Sequence, residues 1–363
     1  MSNPTVVQFG TSRFLQAHAD LFFAECWPDA QPVTVVQSSG DPSRAGRVQA
    51  LTRGYDLRIR GLQAGAPVDQ LRRVSPIARG LCFGPDMAEV QRLVAEEADM
   101  ILSNTADAGF RPCAADAGPK LDPAMSYPAK LAHLLRGRFE AGARGLQVMP
   151  TELVRNNGDT LRGLVLDAAS AMDRAYRAWL TEEVVWVNSL VDRIVSEPLY
   201  PAGAIAEPYA LWAMEAQRGL QVPCPHPSIE VVPDLGVIER RKLFVLNLGH
   251  SWMVSTWLAA GRQGAVHVRD VMADPDWAQK LRRLYAEEVV PAFAAAGEEA
   301  GLAAYIDTTM ERFANPFLAH RLEDIAQNHT EKLQRRIGAF LAWAADHGDR
   351  GAKPGLHAAM EGD

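Results

Sequence analysis

The chain has little cysteine: four residues in 363 (Cys26, Cys82, Cys113 and Cys224), scattered and with no CxxC pair. That spacing argues against a disulfide framework and points to reduced thiols in a cytoplasmic protein. Cys224-Pro225-His226 offers two metal-ligand types, but a proline-rich surface loop accounts for it more simply. Basic charge is also short: 37 Lys and Arg against 44 Asp and Glu give a net charge of −7. A nucleic-acid partner would need a basic face. No apolar run reaches membrane-spanning length. Met1 to Gln16 lacks the basic start and apolar core of a secretory signal. There is no internal repeat or low-complexity segment. What is present is ordinary globular composition, 48% hydrophobic and 22% charged, in a chain long enough for two domains.

The most informative stretch is Arg240-Arg241-Lys242-Leu243-Phe244-Val245-Leu246-Asn247-Leu248-Gly249-His250. Its flanks are apolar, yet three polar residues stand inside it. On a helix, Asn247 and His250 are neighbours on one face, and Lys242 lies about two turns before His250. A buried lysine needs partners or loses its proton. A lysine inclined to lose its proton is a natural general base. An amide beside it holds a developing oxyanion, and an imidazole orients a hydroxyl. A helix start with Arg240, Arg241 and Lys242 in solvent accounts for the same residues, and the stretch alone does not choose.

The N-terminal half reads as alternating strands and helices. Thr5 to Phe9 is a short buried strand, and Gly10-Thr11-Ser12-Arg13 turns into one apolar helix, Phe14 to Cys26. Such a turn can hold a dinucleotide pyrophosphate at a helix N-terminus. The glycine pattern is degraded, with Ser12 and Leu15 at the second and third positions, so an ordinary βα turn fits too. A second strand, Pro32 to Gln37, ends in Ser38-Ser39-Gly40-Asp41. An acid closing this strand selects NAD; here Asp41 is displaced and Arg44 is nearby, a combination that also admits a 2′-phosphate. Tyr55 to Arg79 reads as strands around the turn Ala64 to Pro67, and Asp99 to Leu102 as a buried strand. That strand empties into Ser103-Asn104-Thr105, where open α/β sheets place ligands, although a plain polar loop reads the same way. A strand from Gly145 to Met149 empties into Pro150 to Asp159, and Leu161 to Leu180 reads as one long amphipathic helix. Asp192 and Arg193 read as a structural ion pair. The proline-rich run Pro198 to Pro233 sets a boundary near Pro233, giving domains 1–233 and 234–363.

Lys242-x4-Asn247-x2-His250 resembles the catalytic signature of the mannitol dehydrogenase family, the polyol-specific long-chain dehydrogenases. Its surroundings are most similar to the tagaturonate reductase (altronate oxidoreductase) branch. Further likeness lies in Gln8-Phe9-Gly10 with Phe14-Leu15 and Ala17-His18, in Ser103-Asn104-Thr105, Asn157-Gly158 and Val191-Asp192-Arg193-Ile194, in Arg312-Phe313-Ala314-Asn315-Pro316, and in Asn328-His329-Thr330 with Lys332. It runs in order from the first strand to about Ile337.

The resemblance implies an α/β protein: an N-terminal Rossmann-type dinucleotide-binding domain, then a mostly α-helical C-terminal domain, with the active site between them. It implies reversible hydride transfer between NAD, with NADP as the alternative, and a secondary alcohol of an open-chain sugar acid of the tagaturonate/altronate type. Lys242 is the implied general base, and Asn247 and His250 hold the reacting oxygen. The implied cofactor residues are Phe9, Gly10, Thr11, Ser12, Arg13, Phe14, Ser38, Ser39, Ser103, Asn104, Thr105 and Asn157. Glu152, Asn157, Arg241 and Lys332 are assigned to substrate, with Arg241 and Lys332 pairing to its carboxylate; a solvated helix lysine is the plain alternative for Lys332. His18 is expected to be structural. Leu153 stands where the mannitol branch has a second oxyanion asparagine. No metal is required, since an ammonium and amides replace a Lewis acid. The alternatives are a polyol or polyol-phosphate dehydrogenase and, in another class, a non-catalytic NAD-binding regulator. The expected partner is a small sugar acid or polyol, with no nucleic acid or membrane, in a monomer or small homo-oligomer.

Overall fold

The computed structural model describes residues 4–39, 45–105 and 107–361, so Asp41 and Arg44 lie outside the described residues. The chain forms two compact units, one of residues 1–59, 70–206 and 210–235, the other of residues 60–69, 207–209 and 236–363.

The first unit is built on a six-stranded sheet. Its strands are β1 (Val6–Phe9), β2 (Val33–Gln37), β5 (Ile77–Cys82), β6 (Met100–Ser103), β7 (Gln147–Pro150) and β8 (Val185–Trp186); between β2 and β5 in the chain run β3 (Tyr55–Gln63) and β4 (Ala66–Val74), whose residues 60–69 belong to the other unit. The order is β5-β2-β1-β6-β7-β8, and every pairing is parallel. Parallel sheets are covered on both faces, which is why these strands are mostly apolar runs without a polar, solvent-facing alternation. Every residue of β1, β2, β6 and β7 is buried. The helix Tyr127–Glu140 packs Leu131 and Leu135 into the same core as Phe9, Ile101 and Val148. The order reverses between β1 and β6, the switch point where Rossmann-type folds bind dinucleotides.

Two helices differ from the sequence expectation. The helix predicted over 14–26 is two pieces, Arg13–Gln16 and Ala19–Cys26. The break is held from far along the chain: Arg193 donates to the Ala17 carbonyl (2.6 Å), and the His18 ring bonds the Leu211 carbonyl (2.8 Å). Full burial holds the His18 imidazole down to about 3, so it is a neutral structural group, as expected. The helix predicted over 161–180 is also two, Asn157–Ala168 and Arg174–Glu182. Ser170 and Asp173 stand at the break; both residue types favour helix ends over interiors. The proline-rich run is not featureless. It carries β10 (Val195–Leu199), β11 (Gly203–Ala206), β12 (Leu211–Glu215) and β13 (Ile229–Val232), with β9 (Ser189–Asp192) just before it. Cys224, expected on a surface loop, is 1% exposed.

A buried acid marks the packing of Ala19–Cys26. Asp20 is fully buried and accepts from the Tyr55 hydroxyl (2.9 Å), and burial pushes its carboxyl up to about 7. The native state therefore keeps a proton that the unfolded chain gives up, and stability falls as pH rises from about 4 through 7. Asp20→Asn should remove that slope, stabilising the protein at pH 8 by on the order of 2–4 kcal/mol and changing little near pH 4. Thermal melts across pH check this; parallel wild-type and variant profiles would contradict it.

The second unit is mostly helical. Its axis is Leu248–Ala259, apolar nearly all round and buried, as a central helix must be. Phe244, Leu248, Met253, Leu281, Tyr285, Phe293 and Phe340 pack one continuous core around it. Among the described residues three stretches are wound as π-helix: Lys242–Asn247, Tyr285–Val289 and Gln334–Gly338.

Candidate functional site

In the first unit, the carboxyl ends of β1, β2 and β6 enclose a cavity of about 450 Å³. Gly10, Thr11, Ser12 and Arg13 form one wall, Ser38 and Ser39 a second, Asn104 and Thr105 a third. These are eight of the twelve residues assigned to cofactor from sequence. Gly10 is required there: its φ is +121°, and a Cβ would lie 2.4 Å from the Asn104 carbonyl oxygen. Ser12 replaces a glycine because it works as a helix cap, its Oγ accepting from the Leu15 amide (3.2 Å). The other four assigned residues stand behind the cavity. Phe9 is buried in β1 against Tyr127. Phe14 stacks on His18 (4.8 Å). Ser103 donates to Glu152 (3.0 Å). Asn157 is 1% exposed and locks the β7 turn, its amide donating to the carbonyls of Pro150, Glu152 and Ser189 and its oxygen accepting from the Ser189 amide. A ligand contact by the Asn157 side chain would have to displace one of these bonds. Glu152 is similarly engaged, accepting from the Thr105 amide (2.8 Å) and hydroxyl (3.0 Å), and burial raises its carboxyl above the usual range. Leu153, beside it, is 75% exposed.

Two wall residues were not singled out from sequence. Gln37 donates to Ser39 (2.5 Å), and Arg47 donates to the Thr11 carbonyl and to Gln16 (3.1 Å each). Arg47 stands three residues after Arg44 in the sequence, on the helix Ala45–Thr52, and that nearness was the available signal.

In the second unit, the Lys242 stretch is not the regular helix expected. On an α-helix, residues five apart diverge by about 140° around the axis. A π turn closes i→i+5 hydrogen bonds, which brings such residues back toward one face. Lys242–Asn247 is wound that way, with regular helix resuming at Leu248, so Lys242 and Asn247 stand one wide turn apart and His250 follows one α turn on. The widened turn is pinned by Tyr285, whose hydroxyl donates to the Val245 carbonyl (2.8 Å). Gly249 makes room for it: a Cβ there would meet the Tyr285 oxygen at 2.1 Å.

The solvated-basic alternative does not hold for the flanking arginines. Arg240 is bidentate to Glu298 (2.6 and 2.8 Å), and Arg241 donates to the Ala300 carbonyl. Lys242 itself is half-buried. The His250 ring packs on Phe313 (4.6 Å) and edge-on to His320 (4.9 Å). Burial, with His320, Arg336, Arg312 and Lys332 around it, holds His250 well below the ordinary histidine range, so the imidazole is neutral. Of the two cations assigned to a substrate carboxylate, Lys332 belongs to this group and Arg241 is committed to Ala300.

The C-terminal motifs have clear positions. Arg312 forms a buried bidentate pair with Glu207 (2.8 and 3.0 Å). Asn315 caps its own turn by accepting from Phe317 (3.0 Å). His329 bonds Ser255 (3.0 Å), setting Lys332 and Arg336 along the helix face that meets Asn247 and Ser251. His320 and Arg336 were not legible beforehand; the i,i+4 spacing of Lys332 and Arg336 was the only trace. Among the described residues, no group of three or more His, Cys, Asp or Glu side chains converges as a metal site would.

The profile of the mannitol dehydrogenase Rossmann domain matches residues 4–224, and that of the mannitol dehydrogenase C-terminal domain matches residues 234–354. The altronate oxidoreductase of Bacillus subtilis (strain 168) is 29% identical, over 91% of this chain and 73% of its own length. That of Escherichia coli O7:K1 (strain IAI39 / ExPEC) is also 29% identical, over 92% and 73%. Among solved structures, a D-sorbitol dehydrogenase in substrate-free form superposes with a TM-score of 0.83 at 20% identity, covering 99% of this chain and 80% of that one. The Pseudomonas fluorescens mannitol 2-dehydrogenase, in ternary complex with NAD and D-mannitol, gives 0.67 at 15%, covering 99% and 84%. The chain belongs to the mannitol dehydrogenase family and is a dehydrogenase acting on CH–OH groups.

Proposed function

We propose that the protein interconverts a secondary alcohol and a ketone on an open-chain sugar acid, using NAD, with Lys242 as the general base. The observation that carries this is the π turn Lys242–Asn247, which gathers the lysine and the amide toward one face, one α turn before a neutral His250. The altronate oxidoreductase relatives support a sugar acid over a neutral polyol.

When bound, NAD supplies the acceptor for the hydride leaving the carbinol carbon. The cavity walls Gly10 to Arg13 bring a close backbone approach and a guanidinium to a dinucleotide phosphate. In oxidation, neutral Lys242 takes the hydroxyl proton on Nζ. The Asn247 amide donates to the oxygen as its charge grows, and the neutral His250 ring orients it. In reduction the Lys242 ammonium returns the proton.

NADH is expected to bind more tightly than NADPH. Fluorescence titration of both cofactors decides this. Tighter NADPH binding that is lost in Arg47→Ala would overturn the choice, because Arg47 lies beside Ser38 and Ser39 in the same wall. Steady-state assays with aldonates, alditols and polyol phosphates separate the sugar-acid reading from the polyol one.

A further inference from the structure

Proton transfer and oxyanion binding leave a pair of cations unused. Arg336 reaches the π turn with Nη1, which donates to the Asn247 carbonyl (3.4 Å) and the Ser251 hydroxyl (3.1 Å). Asn247, His250 and Ser251 share one helix face, so these bonds set the guanidinium beside the reacting centre. One turn before it, Lys332 donates to the Ile325 carbonyl (2.8 Å). Among the described residues no carboxylate forms an ion pair with Arg336 or Lys332. Glu331 and Asp324 are the acids nearby, felt electrostatically by Lys332 and His320 respectively. The exposed neighbour Arg335, by contrast, pairs with Glu331 (3.4 Å).

In a chain of net charge −7, two partly buried cations without a counter-ion are expensive unless something anionic joins them. Burial disfavours the charged forms of both, with the Arg336 charge adding to it for Lys332 and the Arg335 charge for Arg336. A guanidinium held at one nitrogen keeps further donors in a rigid fork, matched to the two oxygens of a carboxylate.

We propose that Arg336 is the specificity-determining residue that takes the carboxylate of the substrate, with Lys332 as its second cation. This rests on the sugar-acid reading above. Arg336 is preferred to Arg241 in that role because its bonds are to Asn247 and Ser251, on the helix face of His250, whereas Arg241 bonds Ala300.

The test uses the full chain with saturating NAD, an aldonate and the alditol of the same carbon number. Arg336→Met should raise KM for the aldonate by roughly 30-fold or more, as loss of a partly buried charge pair does, and by no more than about threefold for the alditol. Arg336→Lys should recover part of the aldonate effect. Arg335→Met, on the exposed side, should change neither. Equal factors for the two substrates in Arg336→Met would overturn the assignment and leave the sugar-acid activity standing. If no aldonate is turned over, its inhibition constant against alditol oxidation replaces KM. Inhibition relieved by Arg336→Met supports Arg336 while the sugar-acid activity fails. An aldonate that neither reacts nor inhibits removes both.

Discussion

Lys242→Ala is expected to lower turnover by roughly 10²–10⁴-fold, the span usual for a positioned acid–base group. NADH binding should barely change, because the residues assigned to the dinucleotide belong to the first unit. The pH dependence carries the sharper signature. Oxidation needs a neutral amine, so the wild-type rate should rise with pH to a plateau, and reduction should decline over the same range. His250 cannot supply that limb, since its surroundings hold it well below the ordinary histidine range and it stays neutral throughout. The limb should vanish in Lys242→Ala, and an added primary amine should restore part of the rate. Stopped-assay rates from pH 6 to 10 in both directions are the check. A surviving limb in the variant would assign the titration to another group.

The second large effect concerns the buried ion pair of Arg312 and Glu207. Arg312 and Glu207 have side chains only 4% and 2% exposed. Arg312 also lies over the Tyr209 ring (4.4 Å). Removing either partner takes the bidentate ion pair away from a buried charge, which costs about 3–5 kcal/mol. Glu207→Ala should lower the denaturation midpoint accordingly. The double variant Glu207→Leu, Arg312→Met should regain most of the loss, because replacing a whole buried pair by apolar groups is often neutral. Chemical denaturation of the single and double variants measures this. A Glu207→Ala variant within about 1 kcal/mol of wild type would show that the charge finds other compensation. Because Arg312 is among the charges around His250, activity should fall with it, while NADH affinity, assigned to residues of the first unit, should change little.

How much of this was legible in sequence depended on how local each cause is. The strands of the first sheet are short, mostly apolar runs ended by Gly10, Ser38 and Asn104, so their positions could be read directly. The break after Gln16 could not, because it is imposed by Arg193 and Leu211 from remote strands. Through the first of these bonds Arg193, from the Val-Asp-Arg-Ile stretch, braces the chain after the helix Arg13–Gln16. Asn157 was recognised by its glycine neighbour, yet its role as a four-bond lock depends on Ser189, which only the fold brings close. The π turn was invisible for a different reason. It differs from an α-helix by one residue in each hydrogen bond and leaves no compositional trace, although it explains how a five-residue Lys-to-Asn spacing can share a face. The partners of Arg240, Arg241 and Arg336 are likewise tertiary, and with them the choice of which cation faces the substrate.

The most direct measurement is NADH formation by the purified full chain with NAD and a panel of aldonates and alditols, run in parallel with Lys242→Ala. The account predicts turnover of an open-chain aldonate at a rate rising with pH, and a loss of roughly 10²–10⁴-fold in the variant. Near-full turnover by Lys242→Ala with an unchanged pH profile would contradict it, leaving the Lys242 stretch a structural helix and the base elsewhere.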